Sequence, residues 1–152
     1  VKGDNVILGY YKNPEATAAT IKDGWLYTGD LCTLDSDGFL FIRGRSKNMI
    51  LGPSGQNIYP EEIEQRINNL PYVCESLVVE ENQRLVALIY PDIEIGATQG
   101  LSFDDLTKIM RENIETLNKD LPGYSRIADL KVLHEEFEKT PKRSIKRFLY
   151  QH

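Results

Sequence analysis

The chain has 152 residues, 41% hydrophobic and 27% charged, with 18 Lys and Arg against 23 Asp and Glu, a net charge of −5. That length suits one domain, or a small domain with a piece of another, and can bury a core without disulfides. The acidic balance excludes the whole-chain basic field of a nucleic-acid binder. No apolar run approaches the ~18 residues of a membrane-spanning helix, and the two cysteines, Cys32 and Cys74, match no metal spacing and read as reduced thiols of a cytosolic protein.

Asn13-Pro14-Glu15 predicts a helix start, with Asn as N-cap and Pro at the first helical position, running to Thr20 and ended by Asp23-Gly24. Residues 31–34 and 39–43 are β-like, and Asp35-Ser36-Asp37-Gly38 between them signals a hairpin. Residues 49–58 predict two short strands around Gly52-Pro53-Ser54-Gly55. Pro60 then opens a helix whose apolar positions, Ile63, Ile67 and Leu70, form one stripe; Pro71 stops it. Residues 73–80 and 85–90 favour an antiparallel pair joined by Glu81-Asn82-Gln83-Arg84, and residues 91–100 read as a loop. Ser102 with Asp105 forms a capping box for a helix carrying Leu106, Ile109, Met110, Ile114 and Leu117 on one face. After the break at Pro122-Gly123, residues 127–133 predict a third strand, Thr140-Pro141 a turn, and residues 144–150 a short final helix. Strands and helices alternate irregularly behind a leading hairpin. The expected class is therefore α+β, a three-stranded antiparallel or mixed sheet flanked by helices.

Three segments carry candidate chemistry. In Gly24-Trp25-Leu26-Tyr27-Thr28-Gly29-Asp30, the aspartate serves as a turn or cap residue, or accepts paired hydrogen bonds from a ribose diol. Gly44-Arg45-Ser46-Lys47 runs through the Gly52-Pro53-Ser54-Gly55 turn into Tyr59-Pro60-Glu61-Glu62-Ile63-Glu64. Glu61, Glu62 and Glu64 read as carboxylates favoured at the start of a helix. The third segment, residues 139–147, is Lys-Thr-Pro-Lys-Arg-Ser-Ile-Lys-Arg, the chain's one basic cluster. Asp35-x-Asp37-Gly38 fails as an EF-hand because the bidentate Glu position falls on Gly44. Two histidines, His134 and His152, and no G-x-x-x-x-G-K-[ST] loop leave no His-based metal site, triad or P-loop.

The order and spacing of these segments resemble the adenylate-forming (AMP-binding) superfamily, specifically the C-terminal part of a long-chain fatty acyl-CoA synthetase. The resemblance runs from Gly9-Tyr10-Tyr11-Lys12-Asn13-Pro14 to Lys146-Arg147. It implies that Asp30 binds the ribose of ATP and that Arg45 sits beside the same nucleotide, with Arg43 as an alternative for part of that role. Lys47 would be the hinge and Gly55 would border the pantetheine tunnel. A P-x-x-K turn, often with glycine before the lysine, would deliver a catalytic lysine bridging the acyl carboxylate and the α-phosphate. Three residues beyond Pro141 stands Ser144, which supplies no cation. Either Lys146 or Lys142 is redirected by a shifted turn, Lys146 being preferred, or adenylation uses other groups.

The resemblance further implies two domains: residues 1–46 as the tail of a large N-terminal adenylation domain, and residues 47–152 as a mobile C-terminal domain. Val1 opens mid-pattern with no signal peptide ahead of it, as a cut within a longer protein would. The expected reaction is ATP, fatty acid and CoA giving acyl-CoA, AMP and pyrophosphate by domain alternation. ATP with Mg2+ and CoA would serve the full-length enzyme, and none is expected on this fragment, which is expected to be inactive alone. The expected partners are the missing adenylation domain of the same chain and small-molecule substrates, not nucleic acid. The expected location is the cytoplasm, with the basic end as a candidate for peripheral contact with the inner membrane. The alternatives are a ligase for another acid and a non-catalytic acyl- or nucleotide-binding relative.

Overall fold

A computed structural model describes residues 1–151. The chain divides into two compact units, Val1–Lys47 and a second from Asn48 onward. The first holds helix α1 (Pro14–Thr20) and strands β1 (Ile21–Lys22), β2 (Trp25–Leu26), β3 (Asp30–Leu34) and β4 (Leu40–Arg45). Asn13 caps α1 by accepting from the Ala16 amide at 3.0 Å. The β1–β2 hairpin was not predicted. Its turn uses Asp23 and Gly24, both left-handed, with φ of 51° and 78°, which is the geometry that joins two-residue hairpins. This unit has no apolar core: Gly44 is its one buried residue, and Phe39, Leu40, Phe41 and Ile42 lie exposed.

The second unit holds β5 (Ile50–Leu51), β6 (Asn57–Ile58), α2 (Pro60–Asn68), β7 (Val73–Glu81), β8 (Arg84–Pro91), α3 (Ile93–Thr98), α4 (Phe103–Asp120) and β9 (Ile127–Val132). The fold is α+β. Its central sheet has the order β7-β8-β9, with β7–β8 antiparallel and β8–β9 parallel, the crossover between β8 and β9 being made through α3 and α4. Side chains alternate across the sheet. Val78, Ala87 and Ile89 meet Ile63, Ile67, Met110, Ile114 and Leu117 from the helices. Leu77, Val79, Val86 and Leu88 point the other way, against Phe137, with Ile145 and Tyr150 alongside. Among the described residues, no helix is long and apolar enough to cross a membrane.

Two sequence expectations are corrected. Residues 93–98 form a helix, not a loop; Asp92 caps it, its carboxylate accepting from the Ile95 amide at 2.9 Å. Gly96 lowers the local helix propensity. Here it serves packing: a Cβ at that position would come within 2.9 Å of Leu106. Residues 144–150 are not one helix. Lys139 bridges antiparallel to Ile145, the Lys146 amide donates to Glu138 O, and only Arg147–Leu149 turn, as a 3-10 segment. Ile145 and Tyr150 are drawn onto the sheet face, and this tertiary packing overrides the local preference.

The capping box at α4 has both reciprocal bonds, and the Ser102 hydroxyl, then the Ser102 amide, donating to the Asp105 carboxylate hold it below its ordinary range. Ser102→Ala should lower stability by about 1 kcal/mol, and Ile67→Ala, emptying a fully buried site, by about 2–5 kcal/mol, both read by urea denaturation. Asp105 has a depressed folded-state pKa, so its contribution is present above the ordinary carboxylate range and is lost as pH falls through the depressed value. The wild-type advantage over Ser102→Ala should shrink across that acid window.

Candidate functional site

In the first unit, β3 and β4 pair so that Asp30 stands opposite Arg45. The Arg45 Nε lies 3.1 Å from Asp30 Oδ1, and its NH1 donates to Thr28 O at 2.6 Å. Gly29, left-handed at φ 76°, bends the chain so that Thr28 and Asp30 present an oxygen each to one guanidinium. The pair is an open anchor: the Arg45 side chain is 60% exposed, so the ion pair itself adds little stability. A carboxylate and a guanidinium held at one strand end offer an acceptor for a diol and a donor fork for phosphate or ribose oxygens. Arg43 Nε donates to Thr33 Oγ1 at 3.2 Å.

Lys47 is exposed at the end of the first unit. In the second unit, the Gly52-Pro53-Ser54-Gly55 turn closes by hydrogen bonds from Gly55 N to Gly52 O and from Gly52 N to Gln56 O, each 2.8 Å. Gly55 is left-handed at φ 82°, and a Cβ there would meet nothing within 4 Å, so its outer face is open to an approaching ligand. Beside this turn lies a cleft of about 190 Å³ lined by Gly52, Pro53, Arg84, Gly123, Tyr124 and Arg126, among others.

The C-terminal basic segment is a hairpin whose turn spans Thr140 and Ser144. Thr140 N donates to Ser144 O, and Arg143 N donates to Thr140 O, both at 2.8 Å. Arg143 takes a left-handed φ of 61°. It is thus the glycine-type position of the turn, and Ser144 follows it directly. The segment's cations are unequally engaged. Lys139 lies 2.9 Å from Glu75 and 3.1 Å from Glu136, and these hydrogen bonds raise its pKa above the ordinary lysine value. Lys146 lies 3.1 Å from Glu138. Lys142 and Arg143 make no side-chain ion pair or hydrogen bond among the described residues.

Arg147 fastens this hairpin to the fold. Its NH2 forks onto both oxygens of Glu64, and its NH1 donates to Val78 O at 3.2 Å. Glu64 also accepts from the Val78 amide at 2.7 Å. Burial is the largest influence on Glu64 and pushes its carboxyl above the ordinary range; the Arg147 charge and the Val78 amide pull it back in part. The sequence reading treated Glu64 as a dipole-facing carboxylate. The missed signal was its spacing: Pro60, Glu64 and Ile67 follow i, i+4, i+7 on the face that buries Ile63 and Ile67.

Residues 47–151 match the family described as the AMP-binding enzyme C-terminal domain. The long-chain-fatty-acid–CoA ligase of Bacillus subtilis (strain 168) is 36% identical over 151 residues, 98% of this chain and 25% of that protein. A 2-succinylbenzoate–CoA ligase of Bacillus cytotoxicus is 48% identical over 79 residues, 52% of this chain and 16% of that protein. The O-succinylbenzoate coenzyme A synthetase of Bacillus subtilis, solved in complex with AMP, superposes with a TM-score of 0.70 at 30% identity, covering 97% of this chain and 28% of that one. The chain thus spans about a quarter of the length of such relatives.

Removing one member of the Glu64–Arg147 pair strands a buried charge. Arg147→Ala should cost about 3–5 kcal/mol, while the paired replacement Glu64→Leu/Arg147→Met should recover most of that loss. Urea unfolding of the two variants against the wild type checks the ordering.

Proposed function

This chain belongs to the AMP-binding enzyme C-terminal domain family, and we propose that it is the C-terminal part of an AMP-forming acid–thiol ligase that works by domain alternation. The observation that carries the reading is the Asp30–Arg45 pair, held two residues before Lys47 and followed in order by the open Gly55 turn and the basic hairpin. Residues 1–46 would end a large adenylation domain, and residues 47–152 would form the mobile domain. His152 lies outside the described residues.

In the proposed first half-reaction, a carboxylate oxygen attacks the α-phosphorus of ATP and pyrophosphate leaves. ATP enters as its Mg2+ complex, which supplies charge neutralisation on the phosphates. Asp30 accepts from the ribose diol, and Arg45 holds Asp30 and donates to nucleotide oxygens. Two anions must meet, so a cation between them is required; one unit charge at 4 Å contributes roughly 4 kcal/mol at an effective dielectric of 20. Arg143 fills the glycine-type position, which argues against a shifted turn and leaves Ser144 where the family pattern has lysine. Lys142, at the tip and unengaged, is therefore favoured over Lys146, whose ammonium is committed to Glu138. In the second half-reaction, the CoA thiol sulfur attacks the acyl carbonyl, the acyl–phosphate bond breaks and AMP leaves, with Gly55 bordering the pantetheine path.

A long-chain fatty acid is the proposed substrate, because the ligase matched over 98% of this chain is named for that class. The relative named for 2-succinylbenzoate, matched over 52% of this chain, supports another acid as the alternative. The proposed partners are the adenylation domain of the same chain and these small molecules, in the cytoplasm. Ser144 favours a second reading, a relative that binds but does not adenylate.

The 152-residue chain with ATP, palmitate and CoA should form no acyl-CoA. In the full-length protein, Lys142→Ala should slow pyrophosphate release about 100-fold, Lys146→Ala should change it little, and Ser144→Lys should accelerate it. Absence of pyrophosphate release from the wild type, appearing only in Ser144→Lys, would select the binding relative.

A further inference from the structure

The C-terminal hairpin is gripped at two places, and both grips close on β7. At its base, Lys139 lies 2.9 Å from Glu75 of β7 and 3.1 Å from Glu136. Beyond its turn, Arg147 forks onto Glu64 of α2 and donates to Val78 O of β7. Val78 is fully buried and stands opposite Ala87 of β8, on a strand that is an edge of the sheet. Glu64 takes its N–H and Arg147 its C=O. The two side chains thus fill the hydrogen-bonding positions that a further strand would occupy beside β7. The Lys139 grip is partly open to solvent, which weakens it. The Arg147 grip is buried.

The Gly55 turn hangs on neither grip. Its own bonds close it, Gly55 N to Gly52 O and Gly52 N to Gln56 O. The β5–β6 ribbon that carries it is seated by Ile50 and Ile58 in the apolar cluster with α2 and α4. The hairpin rests instead on the other cluster, through Phe137, Ile145 and Tyr150. The two candidate catalytic elements of the second unit therefore have separate foundations.

We propose that Glu64 and Arg147 are positioning residues for the first half-reaction alone: they aim the hairpin that carries Lys142, and the Gly55 turn used in the second half-reaction is indifferent to them. This rests on the domain-alternation reading of the proposed function. A guanidinium forked on a carboxylate has a fixed direction, and the further bond to Val78 O fixes its plane, so the returning strand of the hairpin has one orientation. Lys142 makes no ion pair among the described residues, so its ammonium is placed only as well as the hairpin is. A displacement of about 1 Å at a reacting group can cost about 100-fold in rate. Neither Glu64 nor Arg147 touches substrate in this account; both act through the hairpin.

The test separates aiming from stability. Glu64→Leu/Arg147→Met replaces the clasp by an apolar contact that has no fixed direction. In the 152-residue chain, amide exchange at Thr140 and Lys146, whose N–H groups close the hairpin, should speed about tenfold in this variant, while exchange at Gly52 and Gly55 stays within about twofold of wild type. In the full-length protein, pyrophosphate release from ATP and palmitate should fall about tenfold through kcat, with the KM for ATP within about twofold. Palmitoyl-CoA formation from palmitoyl-adenylate and CoA should stay within about twofold. Arg147→Lys keeps the charge against Glu64 but has no planar fork, and should show the same split at about threefold. Equal losses in the two half-reactions make the clasp merely structural and overturn the proposal, as does unchanged pyrophosphate release in both variants. If the wild type itself releases no pyrophosphate, the adenylation reading fails, and exchange at Thr140 and Lys146 still decides whether the clasp holds the hairpin.

Discussion

The second unit depends on one clasp, the fork of Arg147 on Glu64. Glu64 sits on the inner face of α2 and grips the Val78 amide, and Arg147 returns from the C-terminal hairpin to both Glu64 oxygens and the Val78 carbonyl. Helix α2, edge strand β7 and basic hairpin thereby meet at one ion pair whose side chains are only 14% and 11% exposed. Such a pair gives less net stability than an apolar contact of the same size, but it tolerates little displacement, since either partner alone is a buried charge. It fixes where the turn carrying Lys142, Arg143 and Ser144 emerges. The apolar contacts of Ile145 and Tyr150 on the sheet face then set the hairpin's tilt.

Much of the fold was legible because local signals agreed with tertiary packing. Asn13-Pro14, the Ser102/Asp105 box, the apolar stripe of α2 and the Val- and Leu-rich runs all formed the elements they predict. The parallel pairing of β9 beside β8 is a long-range choice that the pattern of residues 127–133 did not specify. Failures came where packing overrode propensity. Residues 91–100 read as a loop, yet Asp92 caps α3 and Gly96 lets it pack closely against Leu106. The final segment looked helical, yet its apolar residues are spent on the second face of the sheet.

For the candidate site, motif order proposes Asp30, Arg45, Lys47 and Gly55, and the structure adds that Asp30 and Arg45 are cross-strand partners. That pairing depends on register, which the β3–β4 turn sets and a bulge between Leu31 and Cys32 adjusts. The glycine-type conformation of Arg143 was not legible, because arginine rarely occupies it; it emerges only from the hairpin's bonds. The Asn48–Glu61 hydrogen bond also escaped the sequence reading, because the two residues lie thirteen apart.

On the proposed domain alternation, the second unit would present two faces in turn, the basic hairpin and the Gly55 turn. The native cysteines give a direct probe, since Cys32 and Cys74 are exposed and lie one in each unit. Spin labels on these two, in the full-length protein with any other cysteines replaced, would report the distance between the units by pulsed electron resonance. Domain alternation predicts two distance populations, one enriched by ATP with the acid and the other by CoA with a stable acyl-adenylate analogue. A single distance that neither ligand set alters would contradict the account.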